Sequence, residues 1–294
     1  MIDFKSFIIV ATFFSLWISV YFSIEVESFL SYILILSFGI VHGANDLRLI
    51  ERKYINFNKS VFTKILLAYV LFVGITGSIF YFFPITALVL FVIFSSYHFG
   101  EEHLSSKIAK ATKTSFLLYT VHGLLIFSII FFCNQKAVIE IIQEITNKVV
   151  PSHYFSIFLN GTIISLSLLF ILKYRLKEIK LLEILEETFY LFILYVIFKT
   201  ASLIWSFAIY FVFWHSIPSL IRQVKYLYGN HKVSSFKDYL KSSFLYWAIS
   251  IIGLVVIYFL FNNNENLFTP ILFILLACIT FPHVWIISRL DKDY

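Results

Sequence analysis

The chain has 294 residues, of which 60% are hydrophobic, 20% aromatic and only 14% charged, with a mean hydropathy of +0.88. A soluble domain is nearer half apolar and a quarter charged, so this composition excludes one and indicates an integral membrane protein. Lys and Arg outnumber Asp and Glu by 23 to 17, but no basic stripe with interleaved aromatics occurs, so the excess reads as loop charge and no nucleic-acid partner is expected.

A spanning helix takes roughly 20 mainly apolar residues. Ten stretches meet that description in chain order: 6–23, 29–46, 62–82, 85–102, 115–133, 154–172, 181–198, 201–221, 243–261 and 268–288. The first has no small-residue cleavage site behind it, so it reads as a membrane helix and not as a secretory signal. The seventh is the least regular, because Glu183, Glu186 and Glu187 lie near its start. Basic loops at 46–60, 105–114, 173–180 and 222–241 alternate with loops at 25–28, 83–85 and 262–269 that hold no Lys or Arg, while 134–153 is balanced in charge. Lys and Arg mark the cytoplasmic side. The expectation is an all-α polytopic membrane helical bundle of about ten transmembrane helices with both termini cytoplasmic. Residues 1–294 are expected to form a single integral membrane domain, multi-pass in the inner (cytoplasmic) membrane. Cys133 and Cys278 are far apart in apolar surroundings and suggest neither a disulfide nor a CxxC site.

Ionisable residues are costly inside a bilayer and mark function by default. His42, His98, His215 and His283 fall on the second, fourth, eighth and tenth stretches, all running inward in this topology. Each lies thirteen to sixteen residues into its stretch, which at 1.5 Å per residue puts all four roughly 20–24 Å from the outer face. Four imidazoles in one layer point to a shared metal site, and imidazole suits Fe, Zn, Cu and Ni alike. Asp46, Glu102 and Ser219 follow three of these histidines at i+4, the spacing that shares a helix face. They are placed to orient the rings by accepting the second N–H. His283 has Ile287 at that spacing and is expected to use a carbonyl or water. Pro218 and Pro282 free the carbonyls of Trp214 and Cys278, each within three residues of a candidate ligand.

His103 reads either as a loop residue or as an extra ligand or proton-handling group, and His122 as packing or hydrogen bonding. His153 and His231 read as loop residues. Tyr97, Phe99, Phe213, Trp214 and Trp285 flank the histidines and are candidates for the wall of an apolar substrate pocket. HxxxH and HxxHH boxes, HExxH, GxxxxGK[ST] and GxGxxG are absent, so a metal site must be assembled from distant helices.

The stretches "HGANDL" (42–47), "SYHFGEEH" (96–103), "FWHSIPSL" (213–220) and "FPHV" (281–284) resemble the Brp/Blh family of membrane β-carotene 15,15′-dioxygenases. The resemblance implies a non-haem Fe2+ enzyme that cleaves β-carotene at its central double bond with O2, giving two retinal molecules, with handover of retinal to a rhodopsin as a further implication. His42 with Asp46, His98 and His215 match the family histidines. Ser219 stands where a fourth histidine is expected, and His103 where an acidic residue is expected. His283 or His103 then completes the ligand set, or the chain is a divergent relative that binds or cleaves a different carotenoid or retinoid. A transporter using intramembrane His and Asp is a reading from another class. It needs a polar path to the outer face, and the outer halves of these stretches hold little beyond Ser and Thr. Because the histidine layer lies off the midplane while the scissile bond is central, the carotenoid is expected to lie strongly tilted or nearly parallel to the membrane plane.

Overall fold

The computed structural model describes residues 4–53, 58–109, 112–260 and 268–290; most of the loop expected at 262–269 and parts of those at 46–60 and 105–114 lie outside them. Among the described residues every regular element is helical and there is no strand. The helices are α1 (Phe4–Tyr21), α2 (Ile24–Leu34), α3 (Asp46–Lys53), α4 (Lys59–Phe82), α5 (Pro84–Leu104), α6 (Lys113–Cys133) and α7 (Gln135–Thr146). They continue as α8 (His153–Arg175), α9 (Leu181–Thr200), α10 (Leu203–Ala208), α11 (Ile217–Tyr228), α12 (Val233–Leu260) and α13 (Phe268–Ile287).

Among the described residues, seven stretches are long and apolar enough to cross a membrane: Lys59–Phe82, Pro84–Lys107, Lys113–Cys133, His153–Arg175, Leu203–Tyr228, Val233–Leu260 and Phe268–Ile287. The other three expected spans are helical but fall short by that measure. α1 is short, and α9 carries the charges of Glu183, Glu186, Glu187 and Lys199. The stretch 29–46 is not one helix: α2 widens into a π-turn at Ile35–Gly39, the chain then turns, and Asp46 opens the separate helix α3. The expected loop 134–153 also contains α7, an amphipathic helix whose Lys136, Glu140 and Glu144 recur at four-residue spacing.

The chain forms two compact units. The first comprises residues up to Leu34, Val92–Gln143 and Asn147–His215. Within it α6 is the centre, packing on α8, α9 and α10, while α1 packs on α9 and α2 on α10. A Cβ at Gly100 would overlap the Tyr119 carbonyl, and one at Gly123 the backbone of Ser96. The C-terminal part of α5 and α6 therefore touch backbone to backbone, as small residues allow membrane helices to do. Gly123→Val should lower the thermal midpoint of the detergent-solubilised protein, with a loss of about 1–3 kcal/mol or more from overpacking; an unchanged midpoint would contradict this packing.

The carboxylate of Glu27 on α2 is buried and accepts from the Ser202 backbone N–H at 2.8 Å. It thus caps α10, the helix leading toward His215. Glu27→Ala should cost about 0.5–2 kcal/mol, read from denaturant or thermal unfolding; a neutral result would show that water replaces the cap.

The second unit comprises Ile35–Phe91, Glu144–Thr146 and Ser216–Tyr294. Here α13 packs on α4, α3 and α12, and α11 packs on α3 and α12. Phe80, Ala87, Phe91, Ala277 and Cys278 form one apolar cluster, and Leu220, Val224 and Tyr239 another.

Candidate metal centre

Each unit holds a pair of buried imidazoles on the expected histidines. In the first, His98 on α5 and His215 lie with ring centroids 4.7 Å apart and planes at 76°. His215 sits in a π-helical segment, Ile209–Ser216, just before Pro218. Proline clashes with the carbonyl four residues earlier in a regular helix, and a widened turn there relieves that crowding while re-aiming the side chain. Phe99 rests against His215 at 4.6 Å and stacks on Phe127 at 5.7 Å, and Phe211 stacks on His215 at 5.9 Å. An aromatic wall thus lies directly on one imidazole of the pair.

In the second unit, His42 and His283 lie with centroids 5.0 Å apart and planes at 83°. Both have Nδ1 committed. His42 Nδ1–H donates to the Gly39 carbonyl at 2.5 Å, a carbonyl at the end of the widened turn Ile35–Gly39. His283 Nδ1–H donates to Asp46 Oδ1 at 2.7 Å, and the Tyr69 hydroxyl donates to Asp46 Oδ2 at 3.2 Å. Because a carbonyl and a carboxylate only accept, both rings carry their proton on Nδ1 when neutral, leaving Nε2 as the lone-pair nitrogen.

The expected i+4 pairing of His42 with Asp46 is corrected by this arrangement. The chain leaves the helix after His42, so four residues no longer bring a side chain back to the same face, and Asp46 serves His283 instead. The same contact corrects the expectation that His283 has only a carbonyl or water. The turn 43–45 is pinned as well: Asn45 Nδ2 donates to the Tyr239 carbonyl at 3.1 Å, and the Ser242 hydroxyl donates to Asn45 Oδ1 at 2.8 Å. The Tyr239 hydroxyl donates to Gln223 Oε1 at 2.6 Å and lies 3.2 Å from the His42 carbonyl, while Gln223 Nε2 donates to Ser219 at 3.2 Å. Ser219 therefore belongs to a network behind the backbone of His42. Tyr69, Asn45, Gln223 and Tyr239 went unnoticed in the sequence because isolated polar residues carry no periodic signal.

The remaining expected residues disperse. Glu102 is half-buried on α5. Tyr97 donates to Glu101 at 2.5 Å and lies 4.5 Å from Phe116. Trp214 is buried, donates from Nε1 to Thr12 at 3.0 Å, and stacks over His103 at 5.9 Å. Phe213 is half-buried. Trp285 is 41% exposed, stacks on Phe72, and lines a cleft of about 300 Å³ whose other walls include Ile50, Ile65, Lys53, Lys64 and Arg289. Of the five aromatics, Phe99 lies in ring contact with both His98 and His215.

The donor set fits a transition metal. Two imidazoles bound side by side to one ion at a metal–nitrogen distance of about 2.1 Å have centroids roughly 4.5–5.2 Å apart, and each pair meets this by itself. The His283–Asp46 contact repeats the carboxylate–histidine arrangement that orients metal-bound imidazole.

Buried imidazole pairs on apolar helices define a class: an all-helical, membrane-type protein with nitrogen donors suited to a first-row metal. The family model for β-carotene 15,15′-dioxygenase matches residues 33–291, most of the chain, and the protein belongs to that family. No individually curated protein and no solved structure matches it.

Proposed function

We propose that the protein cleaves β-carotene at the 15,15′ double bond with O2, giving two retinal molecules, as an iron(II) enzyme whose candidate ligands are His42, His98, His215 and His283. The observation that carries this reading, beside family membership, is the buried pair His42–His283 with both Nδ1 atoms engaged. Iron(II) among neutral histidines supplies the redox chemistry by which O2 reacts with a closed-shell polyene. The reaction balances without another reductant: one C=C bond breaks and each half takes one oxygen atom of O2.

The chain's own groups hold and exclude. Asp46 keeps His283 oriented and is itself held by Tyr69. Gly39 fixes the tautomer of His42. Phe99, Phe127 and Phe211 keep water from the His98–His215 side and offer an apolar face to a substrate without polar handles. The substrate enters from the lipid and lies tilted toward the membrane plane, and retinal leaves into the lipid, where a rhodopsin can take it up. Ten spans with both termini in the cytoplasm fit the loop charges, and the inner membrane is the proposed location.

One observation favours a second reading within the family. Ser219 is engaged by Gln223, so the position gives no fourth imidazole, and a relative that handles a different carotenoid or retinoid accommodates that loss. Expression in a β-carotene-accumulating bacterial host separates the two readings. Colour loss with retinal on chromatography supports central cleavage; colour loss with apocarotenals of other lengths supports the second; an iron-loaded protein that leaves the pigment intact refutes both.

A further inference from the structure

A second cluster of ligand-type side chains lies in the first unit, in residues the proposed iron does not use. His103 at the end of α5, His122 in the middle of α6 and Glu187 on α9 bring one ligand atom each to within 4.8 Å of one another. The Nε2 atoms of His103 and His122 lie 2.9 and 3.3 Å from Glu187 Oε2. Glu187 and His122 are fully buried and the His103 side chain is 11% exposed.

An ion pair explains only half of this arrangement. Lys107 donates to Glu187 Oε1, which satisfies that oxygen and neutralises the carboxylate. The other oxygen has no hydrogen bond despite two imidazole nitrogens within reach, and neither nitrogen of His122 has one. Buried polar atoms without partners cost on the order of 1–3 kcal/mol each, and the contacts at 2.9 and 3.3 Å lack the geometry of hydrogen bonds. One ligand atom from each of three buried or half-buried side chains, all within 4.8 Å of one another, is an arrangement that suits a cation. In a shell with metal–ligand distances of about 2.0–2.2 Å, neighbouring donors stand roughly 2.9–3.6 Å apart, which brackets both observed separations. Trp214 stacked on His103 at 5.9 Å and Tyr190 edge-on to it at 6.4 Å close the side of the cluster with aromatic rings.

We propose that His103, His122 and Glu187 bind a second divalent first-row metal ion, Fe2+ or Zn2+. Two histidines and one carboxylate leave positions open on such an ion. Lys107 orients the carboxylate from its far oxygen, the supporting contact that ligating carboxylates usually have. This site shares no ligand with the iron proposed above and stands or falls separately from it.

The test uses the full-length protein in detergent, stripped with chelator and titrated with Co2+, with bound cobalt and its visible absorption both measured. Wild type is expected to bind two equivalents. His122→Phe removes the two unsatisfied nitrogens and one ligand; it should keep the fold, as judged by helical circular dichroism, and bind one equivalent. Glu187→Gln should bind one, His98→Ala should keep the cobalt of this cluster, and His98→Ala with His122→Phe should bind none. If wild type binds a single equivalent that survives in His98→Ala and is lost in His122→Phe, this site stands and the histidine-only iron does not. A folded His122→Phe with the full cobalt content of wild type overturns the proposal and leaves Glu187 as a carboxylate paired with Lys107. So does a wild type that binds no cobalt. Repeating the titration with Fe2+ and Zn2+ identifies which ion the cluster prefers.

Discussion

Replacing His98 by alanine is expected to abolish retinal formation in the β-carotene-producing host and to leave the purified protein short of iron. The substitution removes one imidazole of the His98–His215 pair and the ring beside Phe99. Loss of groups that only support a ligand commonly costs 10–100-fold in metal affinity or activity, so loss of a ligand should lower activity at least about a hundredfold. His215→Ala should behave alike. The variant leaves a cavity beside an apolar wall, so thermal melting in the absence of metal is the control for folding. Undiminished retinal from His98→Ala with full iron would remove His98 from the site.

Asp46→Ala should weaken iron binding about 10–100-fold and destabilise the protein by about 1–3 kcal/mol, because two buried donors, His283 Nδ1 and the Tyr69 hydroxyl, lose their acceptor. Asp46→Asn should fall between, since its amide oxygen still accepts from one of them. The two effects separate in a double-mutant cycle. In a His283→Phe background, Asp46→Ala should still lower stability through Tyr69 but cost no further metal affinity. If it costs the same affinity as in wild type, Asp46 acts through something other than His283.

Much of the helical framework was readable because it rests on a strong local signal. Apolar runs of about 20 residues bounded by charge locate helical segments at nine of the ten expected stretches, the exception being 29–46, which is broken by a turn. α7 was missed although its polar residues recur at helical spacing, because a balanced charge and a modest length made the region look like a loop. The break after His42 was not readable. "GIVHGANDL" is apolar enough to continue a helix, and the Gly43–Asn45 turn is held by Tyr239 and Ser242, nearly two hundred residues further along. The i+4 rule then placed Asp46 beside the wrong histidine, since the rule applies only while the helix continues.

Glu187 illustrates the same limit from the other side. Three glutamates near the start of α9 marked that stretch as irregular, and nothing in their spacing distinguishes the buried one. Glu186 pairs with Lys5 at 2.8 Å and is partly exposed, while its neighbour faces His103 and His122 from the interior. The rotation of α9 about its axis makes that difference, and only packing against α1 and α6 sets it.

By itself, then, the sequence determined what one-dimensional patterns can carry: an all-helical, apolar chain, the places of most of its long helices, and motifs of the β-carotene 15,15′-dioxygenase family in order. Only the tertiary structure decided which side chains meet. His98 lies with His215, His42 with His283, Asp46 under His283, and Glu187 between His103 and His122. The physical reason is range. Hydrophobic period and charge are properties of neighbours along the chain, whereas a buried hydrogen bond or ligand pair depends on helix rotation, on widened turns at Ile35–Gly39 and Ile209–Ser216, and on close approaches such as that of Gly123 to Ser96.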